Sequence, residues 1–358
     1  MNIHRELPWL RDSIQPLDLN MQHIAEKRQA NLTKPSGSLG DLEKIAIKLC
    51  ALQRSETPCV DRVSITIFAA DHGVASEGVS AYPQTVTLEM IKNFSRGGAA
   101  INVLANELKA SLDVINMGTI SDTRDIPNVV NQTIDRGTKN IIHHAAMTES
   151  QLIRALSIGR RSVVRAVVNG VDLYIAGEMG IGNTTSATAI ATCLTEYSVK
   201  ELVGPGTGLD KEGVLHKSRI IQLALDKHKN DTNLPLDVLK TLGGFEISAM
   251  VGAYITCAQL GVTVLVDGFI ATVAALVASK HSPHLSDRLL FSHVSSEPGY
   301  KKLAEQCGAE PILDLSLRLG EGSGAAVAVP ILRLACALHN KMATFSEANV
   351  SNINLGAV

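Results

Sequence analysis

The sequence predicts an α/β fold, a mostly parallel sheet flanked by helices, and two observations carry that prediction. Short β-rich runs recur through the chain, each stopped abruptly by Gly, Asp, Glu or His. Helical stretches separate them, and strands alternating with helices over about five units wind into a parallel sheet. A third observation bears on what the fold is for. Such sheets bind ligands beyond the carboxyl ends of their strands, which is where this chain repeatedly sets its acids, histidines and glycines.

Residues 1 to 60 read as helical. Met21 to Leu32 forms one helix, stopped by Lys34-Pro35, and Leu42, Ile45, Leu49 and Leu52 give a second its apolar face. Ser38 and Asp41 resemble a capping box for that second helix. From Val63 the pattern changes. Val63 to Ala70 ends in Asp71-His72-Gly73, Leu112 to Met117 at Gly118, and Leu173 to Ala176 in Gly177-Glu178. Val262 to Val266 ends in Asp267-Gly268, and Leu289 to Ser292 in His293. The intervening helices are Gln84 to Phe94, Thr148 to Asn169, Ser186 to Thr195, Lys211 to Lys229 and Phe245 to Leu260. Thr148 with Gln151 makes a capping-box start, and Gly170 a stop. Thr119 to Asn140 is a long loop.

Composition excludes several classes. The 358 residues are 45% apolar and 19% charged with a formal net charge of -2, enough chain to bury a large core. A nucleic-acid binder would show a basic excess or stacking aromatics, whereas aromatics are 3% here. No uninterrupted apolar run reaches the ~18 residues of a membrane span, and Met1 to Gln22 lacks an apolar signal core. The six scattered cysteines contain no C-x-x-C pair and read as reduced thiols of a cytoplasmic protein.

Four polar clusters could carry chemistry. Leu317 to Ala326 sets Glu321 between two glycines, ahead of a run from Ala325 to Leu334 that Ser323 could cap and Pro330 should kink or divide. It is either a capped turn or a loop presenting one acid for proton transfer. Gly177 to Thr185 has glycine spacing G-x-x-G-x-G, neither the dinucleotide fingerprint nor a Walker A loop. Asn183, Thr184 and Thr185 suit a phosphate or ribose. Glu178 fits better beside a developing positive charge. Gly204 to Asp210, followed by a helix with Lys217 and Arg219, suits a phosphate or is an ordinary loop. Ser292 to Gly299 is a fourth cluster. His72 reads as a hydrogen-bonded structural residue. His143-His144 and the His281/His284 pair lack further ligands at metal spacing.

Taken in order, several segments resemble one family. Lys34 to Gly40, Ala70 to Val74 with Glu77-Gly78-Val79, Arg96 to Ala99, Gly177 to Thr185, Gly243 to Glu246, Val266 to Phe269 and Arg318 to Ala326 are similar to the nicotinate-nucleotide–dimethylbenzimidazole phosphoribosyltransferases of the cobalamin lower-ligand pathway. The resemblance runs from about Lys34 to the C-terminal helix, with Ser36 where many members carry a second proline. It implies a Rossmann-like large domain over residues 61–324 and a smaller helical part drawn from residues 1–60 and 325–358. It also implies a homodimer acting on small molecules, without cofactor or metal.

The reaction it implies joins nicotinate mononucleotide and 5,6-dimethylbenzimidazole to give nicotinate and α-ribazole 5′-phosphate. Glu321 matches the family's base and Glu178 its second carboxylate. Substrate contacts fall on Gly180, Asn183, Thr184, Gly206, Lys217, Asp267, Ser295, Leu319 and Gly320, with Tyr82 and Met90 in the aromatic-base pocket. Adenine or phenolic acceptors are the alternative. The chemistry is consistent with these residue types. A pyridinium leaves as a neutral ring without an acid, whereas the azole N–H becomes acidic as its partner nitrogen bonds C1′ and needs one base. Leaving and entering rings on opposite ribose faces invert C1′, and no pyrophosphate departs to require Mg²⁺.

Overall fold

The computed structural model describes residues 3–121 and 126–351. Part of the Thr119 to Asn140 loop and the extreme ends of the segments 1–60 and 325–358 lie outside the described residues. Seven strands form one wholly parallel sheet in the order β3-β2-β1-β4-β5-β6-β7. They are β1 (Val63–Ala70), β2 (Ser111–Gly118), β3 (Val129–Asn131), β4 (Leu173–Met179), β5 (Thr263–Val266), β6 (Leu289–Ser295) and β7 (Pro311–Leu317). This is a doubly wound order whose direction reverses between β1 and β4, and ligand crevices open at such a reversal.

Side chains alternate across each strand, and in the central strands both faces are covered. Ile65, Ile67, Leu173, Ile175 and Leu265 meet the helices Asp41–Gln53, Ala100–Leu108 and Ser323–Lys341 in one core. Phe68, Ala70, Tyr174, Ala176, Val264 and Val266 join the opposite core. There the helices Glu149–Val168, Phe245–Leu260 and Phe269–His281 pack. Double burial is why these strands read as continuous apolar runs.

The two chain ends pack on each other. Leu32 bridges Thr344, Arg28 Nε donates to the His339 carbonyl at 2.7 Å, and Gln29 pairs with His339 Nδ1. Helices from both ends also roof one face of the sheet. Among the described residues, only Ser323–Lys341 has the length and composition of a membrane span. Ala325, Ala326, Val329 and Leu332 on it are buried against the sheet, which makes it a core helix.

Several local expectations are corrected. The helix after Ser38 is capped by Gly40 without a side-chain bond. Glu43 takes the Leu39 amide instead, at 3.0 Å, and holds the buried Lys34 ammonium at 2.8 Å. Ser323 is not a cap but the first residue of a helix that runs through Pro330 undivided to Lys341. The helix expected at Ser186 starts at Asn183, while β4 extends to Met179 and so carries Glu178 on the strand itself. Thr148 and Gln151 do form the reciprocal capping box.

Candidate active site

Four strand ends surround one cavity of about 570 Å³. β4 supplies Glu178 and Met179, the turn after it Gly180 to Thr184, and β5 leads into Asp267. β6 supplies His293 and Ser295, and the loop after β7 supplies Arg318 to Glu321. Gly206, Thr207, Tyr82, Val86 and Met90 complete the wall, with Thr207 Oγ1 accepting from the Ala81 amide beside Tyr82 at 3.1 Å. Every residue expected at the site lines this cavity except Lys217. Lys217 lies just behind the wall, fully buried, its Nζ donating to Thr184 Oγ1 at 2.7 Å and to the Gly204 carbonyl at 3.3 Å. Arg318, His293, Glu297, Phe269 and Ile270 are lining residues not expected individually. The polar run Ser292 to Gly299 and the sequence around Glu321 held the signal for the first three.

Glu321 sits in a strained turn. Its φ is +64°, between Gly320 at +89° and Gly322 at +73°. A non-glycine residue in this left-handed region costs roughly 1–2 kcal/mol, and flanking glycines confine the strain to Glu321. Packing locks the turn against β4. A Cβ at Gly177 would lie 2.6 Å from the Glu321 carbonyl, and one at Gly320 would collide with Glu178 Oε1. Asp267 fastens the far side, its Oδ2 accepting from the Gly322 amide at 3.2 Å and Oδ1 from the Ala325 amide at 2.9 Å. An acid from β5 therefore supplies the helix cap expected from Ser323, and both its oxygens are engaged by backbone.

Five ionisable groups here are displaced toward neutrality, His293 and Glu297 by burial and three more strongly. Burial raises the Glu321 carboxyl to about 7, opposed by the Ile101 amide and reinforced by the Asp267 charge. Its Oε2 is buried with no hydrogen-bond partner among the described residues. Burial raises Glu178 to about 8, with the Glu246 and Asp267 charges adding, while Asn183 Nδ2 donates to Oε2 and opposes. Burial lowers the Lys217 ammonium to about 8, and Glu297 opposes that shift. His72 lies outside the cavity wall, bridging Ser186 Oγ at 3.0 Å and Glu246 Oε1 at 2.5 Å. Among the described residues no group of three or more His, Cys, Asp or Glu could hold a metal ion.

A parallel doubly wound sheet with hydroxyls, loop amides and a buried lysine at one end of its cavity, and two acids at the other, suits a sugar phosphate with a cationic neighbour. The comparisons agree with that class. A family model described as "Phosphoribosyltransferase" matches residues 14–350. Nicotinate-nucleotide–dimethylbenzimidazole phosphoribosyltransferases from Pseudomonas putida and Pseudomonas syringae pv. syringae are 56% and 55% identical over 344 residues, each match spanning 96% of this chain and 98% of the relative. The crystal structure of the Thermus thermophilus enzyme of that name superposes with a TM-score of 0.89 at 40% identity, covering 94% of this chain and all of its own. The chain belongs to the nicotinate-nucleotide–dimethylbenzimidazole phosphoribosyltransferase family.

Proposed function

We propose that this protein transfers the phosphoribosyl group of nicotinate mononucleotide to 5,6-dimethylbenzimidazole, inverting C1′, with Glu321 as general base. The observation that carries the mechanism is the unpartnered Glu321 Oε2, held on a pinned turn in a cavity that has phosphate-type donors elsewhere in its wall. A base working near pH 7 is most effective with a pKa near 7, and burial supplies that. Asp267, expected among the substrate contacts, also fixes the turn that carries Glu321.

Ribose 5′-phosphate occupies the end formed by Gly206, Thr184 and Ser295, with Lys217 behind them. The pyridinium lies toward Glu178, whose carboxyl loses its proton as the cationic ring arrives. Charge on that ring is attracted before C1′–N cleavage and vanishes after it, so nicotinate leaves without protonation. Benzimidazole packs beside Tyr82, Val86 and Met90. Its second ring nitrogen gives its proton to Glu321 as the first bonds C1′.

The same reading includes the helical part from residues 1–60 and 325–358 beside the 61–324 domain, a homodimer and a cytoplasmic location. Six free cysteines support the location. Tyr82 and Leu319, 55% and 60% exposed at the cavity, support a partner covering its mouth. The test of the reaction is to incubate the protein with nicotinate mononucleotide and a panel of benzimidazoles, adenine and phenol, and to measure nicotinate release. Release with 5,6-dimethylbenzimidazole supports the proposal. Release only with adenine or phenol moves the assignment to those acceptors, and no release with any acceptor removes it.

A further inference from the structure

Glu297 is the unexplained group in the cavity wall. It is buried, and it stands at the phosphate end, where an acid repels the ligand. Its carboxylate lies against the α-carbon of Gly204, so closely that a Cβ there would collide with Oε2, and it accepts from the Gly206 amide. Lys217 Nζ is bound to the carbonyl of the same Gly204, and a Cβ at Gly206 would lie 3.1 Å from it. Loop amide and ammonium form an anion site, and in the empty protein Glu297 is the anion that this site holds.

We propose that Glu297 is the resident counter-ion of the phosphate subsite, and that it takes up one proton from solvent when a phosphomonoester dianion binds. The assignment rests on the phosphoribosyl reading above. The charge balance requires such a change. Lys217 and the exposed Arg318 bring two positive charges to this end and Glu297 one negative. A phosphomonoester brings roughly -1.5 to -2 at pH 7, which matches the two cations only if Glu297 is neutral. Protonated, its O–H donates to a phosphate oxygen instead of opposing it. Burial already raises the Glu297 carboxyl, against the opposing pull of Lys217, the Gly206 amide and Arg318. The other titratable groups facing the cavity are His293, Asp267, Glu178, Glu321 and Tyr82.

Calorimetric titration of the full protein with nicotinate mononucleotide at pH 7, in two buffers of different ionisation enthalpy, counts the protons taken up. Glu178 and Glu321 contribute equally to wild type and to Glu297→Gln. Lys217, whose charge Glu297 supports, is taken out by making the same comparison on a Lys217→Met background, where the difference isolates Glu297. The expected difference is close to one proton. Proton uptake makes wild-type affinity fall up to ~tenfold per pH unit relative to the variant, and Glu297→Gln binds the mononucleotide more tightly at pH 8. Equal proton counts with equal pH slopes overturn the role of Glu297 while leaving the reaction standing. A mononucleotide that binds neither protein removes the phosphoribosyl reading and this inference with it. Circular dichroism of Glu297→Gln, and binding by a second variant, Glu297→Ala, separate a folding defect from a lost counter-ion.

Discussion

The two ends of the cavity apply the same physics to opposite charges. At the acid end burial drives Glu178 and Glu321 toward their neutral forms; at the phosphate end it drives Lys217 the same way. Desolvation penalises whichever form is charged. Only a ligand carrying a cation at one end and an anion at the other relieves both penalties, and an N-ribosylpyridinium phosphate is such a ligand. The ends differ in how they are built. Glu321 rides on a strained turn held by β4 and Asp267, whereas Lys217 sits behind the wall, bonded to Thr184 and the Gly204 carbonyl.

The largest effect separates chemistry from binding. Glu321→Gln keeps the shape of the turn but removes the base, and turnover should fall ~10²–10⁴-fold with mononucleotide affinity retained. Steady-state kinetics beside direct binding reads this, and unchanged turnover would sink the mechanism. The phosphate end should behave oppositely. Lys217→Met removes a charged hydrogen-bond donor worth roughly 1.5–3 kcal/mol, so mononucleotide affinity should weaken ~10–100-fold. A loss confined to kcat would mean that Lys217 serves the reacting centre instead.

The sequence disclosed the acid end and the strand ends better than it disclosed what joins them. Abrupt stops at Asp71, Glu178, Asp267 and His293 mark carboxyl ends of parallel strands, and all four end where expected to within a few residues. β7 escaped notice because Asp314, Leu315 and Ser316 are exposed on an edge strand, leaving no apolar run to see. The helix Phe269–His281 escaped for the opposite reason, being buried almost all round from Phe269 to Ala278, so no face stands out. Asp267 as a cap for a helix 58 residues away is a tertiary fact that no local pattern encodes. Glu297 looked like part of a serine-rich turn until the fold set it against Gly204.

A third prediction concerns what the acid end costs the empty protein. The unfolded chain releases the Glu178 proton near 4.5, the folded chain near 8. Between those values the unfolded state loses its proton first and is favoured increasingly as pH rises. At pH 7 the penalty is ~3 kcal/mol at most. Glu178→Gln abolishes the titration, so it should raise stability by ~1–3 kcal/mol at pH 7 and by little at pH 4. Denaturant titration at both values checks this. A variant equally or less stable at pH 7 would mean that Glu178 is ionised in the empty cavity.

The smallest effect is the shape of the pH profile, which reads both ends at once. Glu321 must be ionised to act, so with its carboxyl at about 7 single-turnover rates should rise about fivefold between pH 6 and 7 and at most about twofold between 7 and 8. Lys217 must be charged to attract phosphate, so kcat/KM at low mononucleotide should bend down as pH rises through about 8. Saturating substrate suppresses that upper bend, because bound phosphate keeps the ammonium protonated, and leaves the lower one. The two limbs therefore respond to different variants. Glu321→Asp should move the acid limb alone, and Lys217→Met should remove the bend near 8 while leaving the fall that proton uptake by Glu297 imposes. A profile flat from pH 6 to 8 would mean that burial does not lift Glu321 into that range.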